Sequence, residues 1–338
     1  MEGYELKEHF VKKFPVDSDR VHPQKWNMKS FKKIVKVEIV KSDDLEIEFD
    51  LIGVPACFAN AFRRVLLAEV PMMAIEKVHV YNNTSILQDE VLAHRLGLIP
   101  LKADPRKFAF KKSVEDDEFS AEDSLEYHLR IKCSKNPKAP ASKSGDVSVS
   151  QYKNDKVLSK DIEWVPIGDQ ATNFKSSDVG PVNDDILIAK LRPGHELDVK
   201  LFAVKGIGKD HAKFQPVATA SFRLLPEITL LTEVEGEQAQ RLKSSFSDGV
   251  IELRKHKGKI KAQVVNARYD SCSRNVFRFD DLKDCVKISR VPDHYIFTIE
   301  SVGALPPNTL FLEAIKVLKS KCDTILNEIK AKGDAAFS

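Results

Sequence analysis

Cysteine is sparse and dispersed: Cys57, Cys133, Cys272, Cys285 and Cys322 are the only five in 338 residues, and no two form a Cys-x-x-Cys pair. A zinc ribbon takes its ligands from such pairs, and an odd, scattered set serves a disulfide framework no better. The nine histidines also lack the His-x-x-x-His spacing that places two ligands on one helix face. No metal and no cofactor are therefore expected. Long apolar runs are missing too, since none approaches the ~20 residues of a membrane helix. Met1, Glu2, Gly3, Tyr4 and Glu5 open no apolar signal region, so a cytoplasmic or nuclear location is the expectation. Nor is there much excess of charge: 53 basic against 50 acidic residues leave a net +3. A chain that grips nucleic acid with its own surface usually shows a stronger basic bias. The basic runs at 12–13, 29–33 and 254–261 read as solvated faces.

The signatures of catalysis are equally hard to find. The stretch Lys205-Gly206-Ile207-Gly208-Lys209-Asp210-His211 hints at a phosphate loop. A Walker loop, however, needs four residues between its glycines and a hydroxyl after the lysine. Here one residue separates the glycines and Asp210 follows, so a glycine turn leaving a strand is the better reading. His94-Arg95 and His211 could act as acids or bases only beside a nucleophile, and no serine elbow supplies one. Two-metal chemistry needs clustered carboxylates. The one Asp-x-Asp, Asp17-Ser18-Asp19, falls in a polar stretch, and Asp43-Asp44, Asp184-Asp185 and Asp280-Asp281 read as turn or loop residues. No catalytic residue is assigned.

What is present is periodicity. Residues 1–33 are polar and patternless, an extension that either lies on something else or stays mobile. Val35, Val37 and Ile39 then alternate with Lys36 and Glu38, and Leu45, Ile47, Phe49 and Leu51 with Glu46, Glu48 and Asp50. This predicts a half-buried hairpin with one charged face. A helix runs from Pro55 to a stop at Pro71, with Phe58, Ala61, Phe62, Val65 and Leu66 on one face and Asn60, Arg63, Arg64 and Leu67 on the other. A strand over 74–81 and a short helix over 89–96 follow. The middle of the chain reads as a β-rich insert, with strands at 125–131 and 197–203, an acidic loop at 115–123 and a Ser/Lys/Pro-rich loop at 134–156. Tyr295, Phe297 and Ile299 mark a last strand, and Asn308 can open a long helix. On that helix Phe311, Ile315, Leu318, Cys322, Ile325 and Ile329 recur in steps of 4, 3, 4, 3 and 4. Ala314 and Leu326 widen this a/d stripe, which suits either the chain's own core or a helix shared with a partner.

Several of these segments resemble one family. The run 58–71, FANAFRRVLLAEVP, resembles the alpha motif of RNA polymerase alpha and alpha-like subunits; 74–83 and 89–100 continue the match. Residues 205–217, KGIGKDHAKFQPV, are similar to the insert-domain signature of the larger eukaryotic alpha-like subunits, and 299–307 with the helix after it to their closing strand and dimerisation helix. The wording at 81–86, 183–188 and 218–226 favours the alpha-like subunit shared by RNA polymerases I and III over its polymerase II counterpart. That counterpart carries a zinc-binding cysteine group, and some archaeal relatives an iron–sulfur cluster; neither cysteine set is present here.

The resemblance implies an α+β fold: an extension at 1–33, a discontinuous dimerisation domain of residues 34–85 and 285–335, and an insert at 86–284. It implies a heterodimer with the smaller alpha-like subunit. The interface is expected at Phe58, Phe62, Val65, Leu66, Phe311, Ile315, Leu318, Cys322, Ile325 and Ile329. It also implies docking of the large catalytic subunits of polymerases I and III through Asn60, Arg63 and Arg64, where a guanidinium can bind carboxylates in bidentate fashion. DNA would be met only through the complex, in the nucleus and nucleolus. The alternatives are the polymerase II counterpart and an independent nucleic-acid-binding module.

Overall fold

The computed structural model describes residues 2–15, 27–112, 118–136, 152–256 and 258–336. The acidic loop 115–123 is described only from residue 118. Of the loop 134–156, residues 137–151 lie outside the described residues, as does Asp17-Ser18-Asp19. Helices and strands are mixed throughout, an α+β fold, and the chain forms two compact units. One comprises residues 1–41, 48–60 and 221–298, the other 42–47, 61–220 and 299–338. Residues 86–284, expected as one insert, divide at residue 220 between these units.

The first unit is organised by Val286–Ser301, a strand of 16 residues. It is hydrogen-bonded to Glu2–Leu6, Glu46–Ile52 and Val217–Leu230, with Val11–Pro15 and Lys36–Ser42 at the two ends of the strand order. The polar N-terminal stretch thus contributes an edge hairpin. Leu6 pairs with Ile288 across the ladder and is buried in a cluster with Val234, Leu242, Phe246 and Phe277. Phe49 and Phe222 stack on Phe297 at 5.4 and 5.5 Å between ring centroids.

The hairpin at 34–51 departs from simple alternation at both strands. Lys36–Ser42 is exposed at every residue, including the apolar ones. In Glu46–Ile52, Asp50 is buried although the pattern places it outward. The cause lies 218 residues away: Arg268 Nη1 donates to Asp50 Oδ1 at 2.7 Å, while His294 Nε2 lies 2.8 Å from Oδ2. Arg268 also donates to Glu48 through Nε and Nη2 at 3.0 and 2.6 Å. Burial works against the Arg268 charge, but the hydrogen bonds to Glu48 and Asp50 outweigh it and raise its pKa. A buried carboxylate is tolerable only with partners of this kind.

The second unit is built on a four-stranded antiparallel sheet in the order Glu163–Val165, Ser124–Lys132, Glu196–Gly206, Met72–Asn83. Leu125, Tyr127 and Leu129 alternate inward, as do Leu197, Val199 and Leu201. They share one core with Leu92 and Leu96 of the helix Asp89–Gly97. The Tyr127 hydroxyl donates to the Val179 carbonyl, and burial pushes its pKa up.

Candidate assembly surface

Two helices carry the residues singled out from sequence. The first, Ala56–Ala68, follows Pro55 and ends before Pro71. Ala59, Val65 and Leu66 are its buried residues. Ala59 escaped the sequence reading, although its spacing of three to Phe62 and seven to Leu66 is the signal that places it. Val65 and Leu66, 3% and 0% exposed, are buried within the chain itself and have almost no surface to offer a partner. Phe62 is half-buried, with its ring 5.2 Å from that of Phe311 and tilted by 57°. Phe58, one turn earlier, is exposed, as are Asn60 and Arg64, while Arg63 is half-buried.

The glycine loop that hinted at phosphate binding closes the far end of this helix. The Lys209 N–H donates to the Ala68 carbonyl at 2.8 Å. A Cβ on Gly208 would collide with the Leu67 carbonyl oxygen and press on Ala68. The loop therefore needs glycine in order to approach a helix C-terminus, the negative end of the macrodipole, where an anion is disfavoured.

The second helix, Pro307–Ala336, spans 30 residues. Pro307 opens it, and Asn308 Oδ1 accepts from the Thr309 N–H at 2.7 Å. Pro307, Leu310 and Ala314 are buried, and Phe311, Val317 and Leu318 half-buried. From residue 319 to 331 every side chain is exposed. Among the apolar stripe, Ile315, Ile325 and Ile329 are 40%, 58% and 61% exposed, and Cys322, Leu312 and Leu326 are exposed beside them. Those 13 residues are about 20 Å of helix, carrying apolar side chains that no described residue covers.

Charged contacts also tie this helix to its own unit. Lys321 Nζ donates to both oxygens of Glu69 at 2.8 Å. Glu313 lies 3.9 Å from Arg106, which forms a bidentate pair with Asp104. Lys205 Nζ donates to the Phe108 carbonyl at 2.9 Å near the same acids. Burial lowers its pKa, and Asp104 and Glu313 partly offset that.

No catalytic constellation appears in a cleft of about 790 Å³ lined by Arg106, Lys107, Phe108, Gln170 and Phe174 among others. Its buried amide, Gln170, is already committed: Nε2 donates to the Ala121 and Ser124 carbonyls at 2.8 Å, and Oε1 accepts from the Ile167 N–H. Among the described residues, no three His, Cys, Asp or Glu side chains converge as metal ligands do. Asp280 and Asp281 are engaged by Lys283 at 2.7 Å and Arg241 at 2.6 Å. No described helix is long and apolar enough to cross a membrane.

Residues 48–322 match the model of the RNA polymerase Rpb3/Rpb11 dimerisation domain. The mouse protein named DNA-directed RNA polymerases I and III subunit RPAC1 is 54% identical over 306 residues, covering 90% of this chain and 88% of its own length. Its namesake in Saccharomyces cerevisiae is 43% identical over 304 residues, covering 89% and 90%. The RNA polymerase II subunit rpb3 of Dictyostelium discoideum is 32% identical over 303 residues, covering 87% and 94%. The preference for the polymerase I and III type read from residues 81–86, 183–188 and 218–226 is thus matched by whole-chain identity, and the chain belongs to the RNA polymerase Rpb3/Rpb11 dimerisation family, on the branch of the alpha-like subunits named for RNA polymerases I and III.

Proposed function

We propose that the protein is a non-catalytic core subunit of DNA-directed RNA polymerases I and III, pairing with the smaller alpha-like subunit to form the platform on which the large catalytic subunits assemble. In that role it supports synthesis of ribosomal RNA precursors, 5S rRNA and tRNA, in the nucleus and nucleolus. The observation that carries the reading is the closing helix, whose regular apolar stripe runs into fully exposed residues from 319 onward. Burying such a stripe against a partner helix is the main driving force available to it.

The proposed interface comprises Phe58 and Phe62 on the first helix, and Phe311, Ile315, Leu318, Cys322, Ile325 and Ile329 on the closing one. Val65 and Leu66 support it from inside. The dimerisation domain is proposed as 34–85 with 285–335, the insert as 86–284 and the extension as 1–33. Asn60, Arg63 and Arg64 are the proposed docking contacts for the large subunits. The nucleic-acid-binding alternative gains no support from the basic run 254–261. There Lys259 lies 2.8 Å from Glu235, Lys261 pairs with Glu233 and Glu235, and Arg254 lies 3.5 Å from Glu252.

The test is co-expression with the smaller subunit, size exclusion of the pair, and capture of the catalytic chains. The wild-type chain should give a stable one-to-one pair that recruits subunits of both polymerases. A chain that stays monomeric in the presence of that partner would overturn the reading.

A further inference from the structure

The two edges of the six-stranded sheet are built on opposite principles. At one end of the strand order lies Val11–Pro15, five residues long, with consecutive exposed lysines at 12 and 13 and Pro15, which has no N–H, as its last residue. Short length, lysine and proline are the devices by which proteins keep a sheet edge from accepting another strand. At the other end lies Lys36–Ser42, seven residues long, free of proline and glycine. Among the described residues no strand lies beyond it. Val37, Ile39 and Val40 are 54%, 65% and 52% exposed, so neither face of the strand is covered. Three exposed β-branched residues on an edge that pairs on one side only are a poor way to protect a sheet, and a good way to receive a strand.

The helix before this strand, Met28–Ile34, buries none of its residues. Lys29, Lys32 and Lys33 on it, like Lys36 at the start of the strand, are exposed and have no acidic partner among the described residues. Over 28–41 five lysines face one glutamate, Glu38. This surface precedes residue 48, where the family-model match begins, and, although it falls within the proposed dimerisation domain, it is separate in sequence from the closing helix.

We propose that Lys36–Ser42 is a strand-acceptor edge that binds an extended, acidic segment of another protein chain. Main-chain hydrogen bonds would add that segment to the sheet. Its alternate apolar side chains would cover Val37 and Ile39, and its carboxylates would meet the lysines of Met28–Ile34 and Lys36. The acidic choice follows from Lys29, Lys32, Lys33 and Lys36, exposed and without an acidic partner among the described residues, and the extended form from an edge beyond which no described strand lies.

The experiment uses the full chain purified with its smaller subunit and reads fluorescence anisotropy of labelled peptides. One peptide alternates valine with glutamate, a second alternates valine with lysine, and a third is the acidic peptide with alternate amides N-methylated in either register. The acidic peptide should bind at least about tenfold more tightly than the basic one, and N-methylation should abolish binding in one register. Ile39→Lys, and separately Lys32→Glu with Lys33→Glu and Lys36→Glu, should each weaken it by about tenfold or more. All four positions are exposed, so folding should survive, and a melting curve checks this. Equal binding of the acidic and basic peptides, or indifference to N-methylation in both registers, overturns the proposal. So does concentration-dependent self-association that Ile39→Lys removes, which would make the occupant a second copy. Loss of the smaller subunit from Ile39→Lys would place the strand in the dimer interface and also overturn it. Ile325→Asp, at an exposed position of the closing helix, tests the dimer reading and should leave peptide binding by the chain intact, so the two readings fail separately.

Discussion

The first turns of the closing helix and its last ones carry the same apolar rhythm and meet different fates. Up to Leu318 the helix is half-sunk in its own unit, with Leu310 and Ala314 fully buried and Phe311 against Phe62. From residue 319 to 331 the period continues through Cys322, Ile325 and Ile329, yet every side chain is exposed. Periodicity therefore says that a face is meant to be covered, and the surroundings decide by what. The early part is largely covered by its own unit, with Leu312 and Ile315 left exposed, and the later part is uncovered by any described residue, which is the face proposed here for a partner.

The largest effects should come from breaking the early part. Leu310→Asp puts a carboxylate where no surface is exposed. It should cost more than the ~2–5 kcal/mol of a large-to-small core change, because an unpaired charge is buried as well. Loss of a cooperative melting transition is the expected result, with or without the partner. Ile325→Asp, in the later part, should leave the isolated chain's far-UV spectrum unchanged and abolish co-purification of the smaller subunit. If both variants lose only the partner, the two halves do not differ as argued.

A smaller loss is expected at the buried charge cluster of the other unit. Arg268→Ala strands Asp50 and Glu48, and removing one partner of a buried pair costs about 3–5 kcal/mol; His294, 2.8 Å from Asp50, should hold the loss to the lower end. Chemical denaturation reads it. Arg64→Glu, by contrast, should leave stability within about 0.5 kcal/mol, since the side chain is exposed. The heterodimer should form normally and recruit the large subunits less well, as measured by pulldown from the co-expressed pair. Failure of the heterodimer in this variant would remove the distinction between the two helix faces.

A similarly small effect on stability concerns the acids at the base of the closing helix. Burial would raise the Asp104 pKa, but hydrogen bonds from the Arg106 side chain and backbone outweigh it and hold the carboxyl below the ordinary 3.8. The folded form thus prefers the charged carboxylate. That contribution is present above the ordinary value and is lost as pH falls through the lower, folded one. Asp104→Asn should flatten the acid limb of the stability profile by less than about 1 kcal/mol, because the pair is partly solvated. An unchanged slope between pH about 5 and about 3 would show that the pair contributes nothing.

Much of this architecture was legible in the residues. The strands at 125–131 and 197–203 are observed as Ser124–Lys132 and Glu196–Gly206, and the helix over 89–96 as Asp89–Gly97, because a two-residue or 3.6-residue apolar period is a local property of the chain. The glycine loop's lack of a Walker pattern was legible too, but its attachment to Ala68 was not, since that contact joins positions 141 residues apart.

By itself, then, the sequence determined the family, the apolar stripe along the last helix and the types of the elements with a clear apolar period. It did not determine the hairpin Glu2–Leu6 and Val11–Pro15 or the helix Met28–Ile34 in the polar stretch, where no such period marks them. Only the tertiary structure decided that Asp50 turns inward, since that required Arg268 and His294 to arrive from the far end of the chain. It also decided that Val65 and Leu66 are hidden while Phe58 is exposed, and that the hairpin's first strand ends up at an uncovered edge. Exposure is a relation between distant segments, and a pattern of alternating residues carries the need for burial without the identity of what provides it.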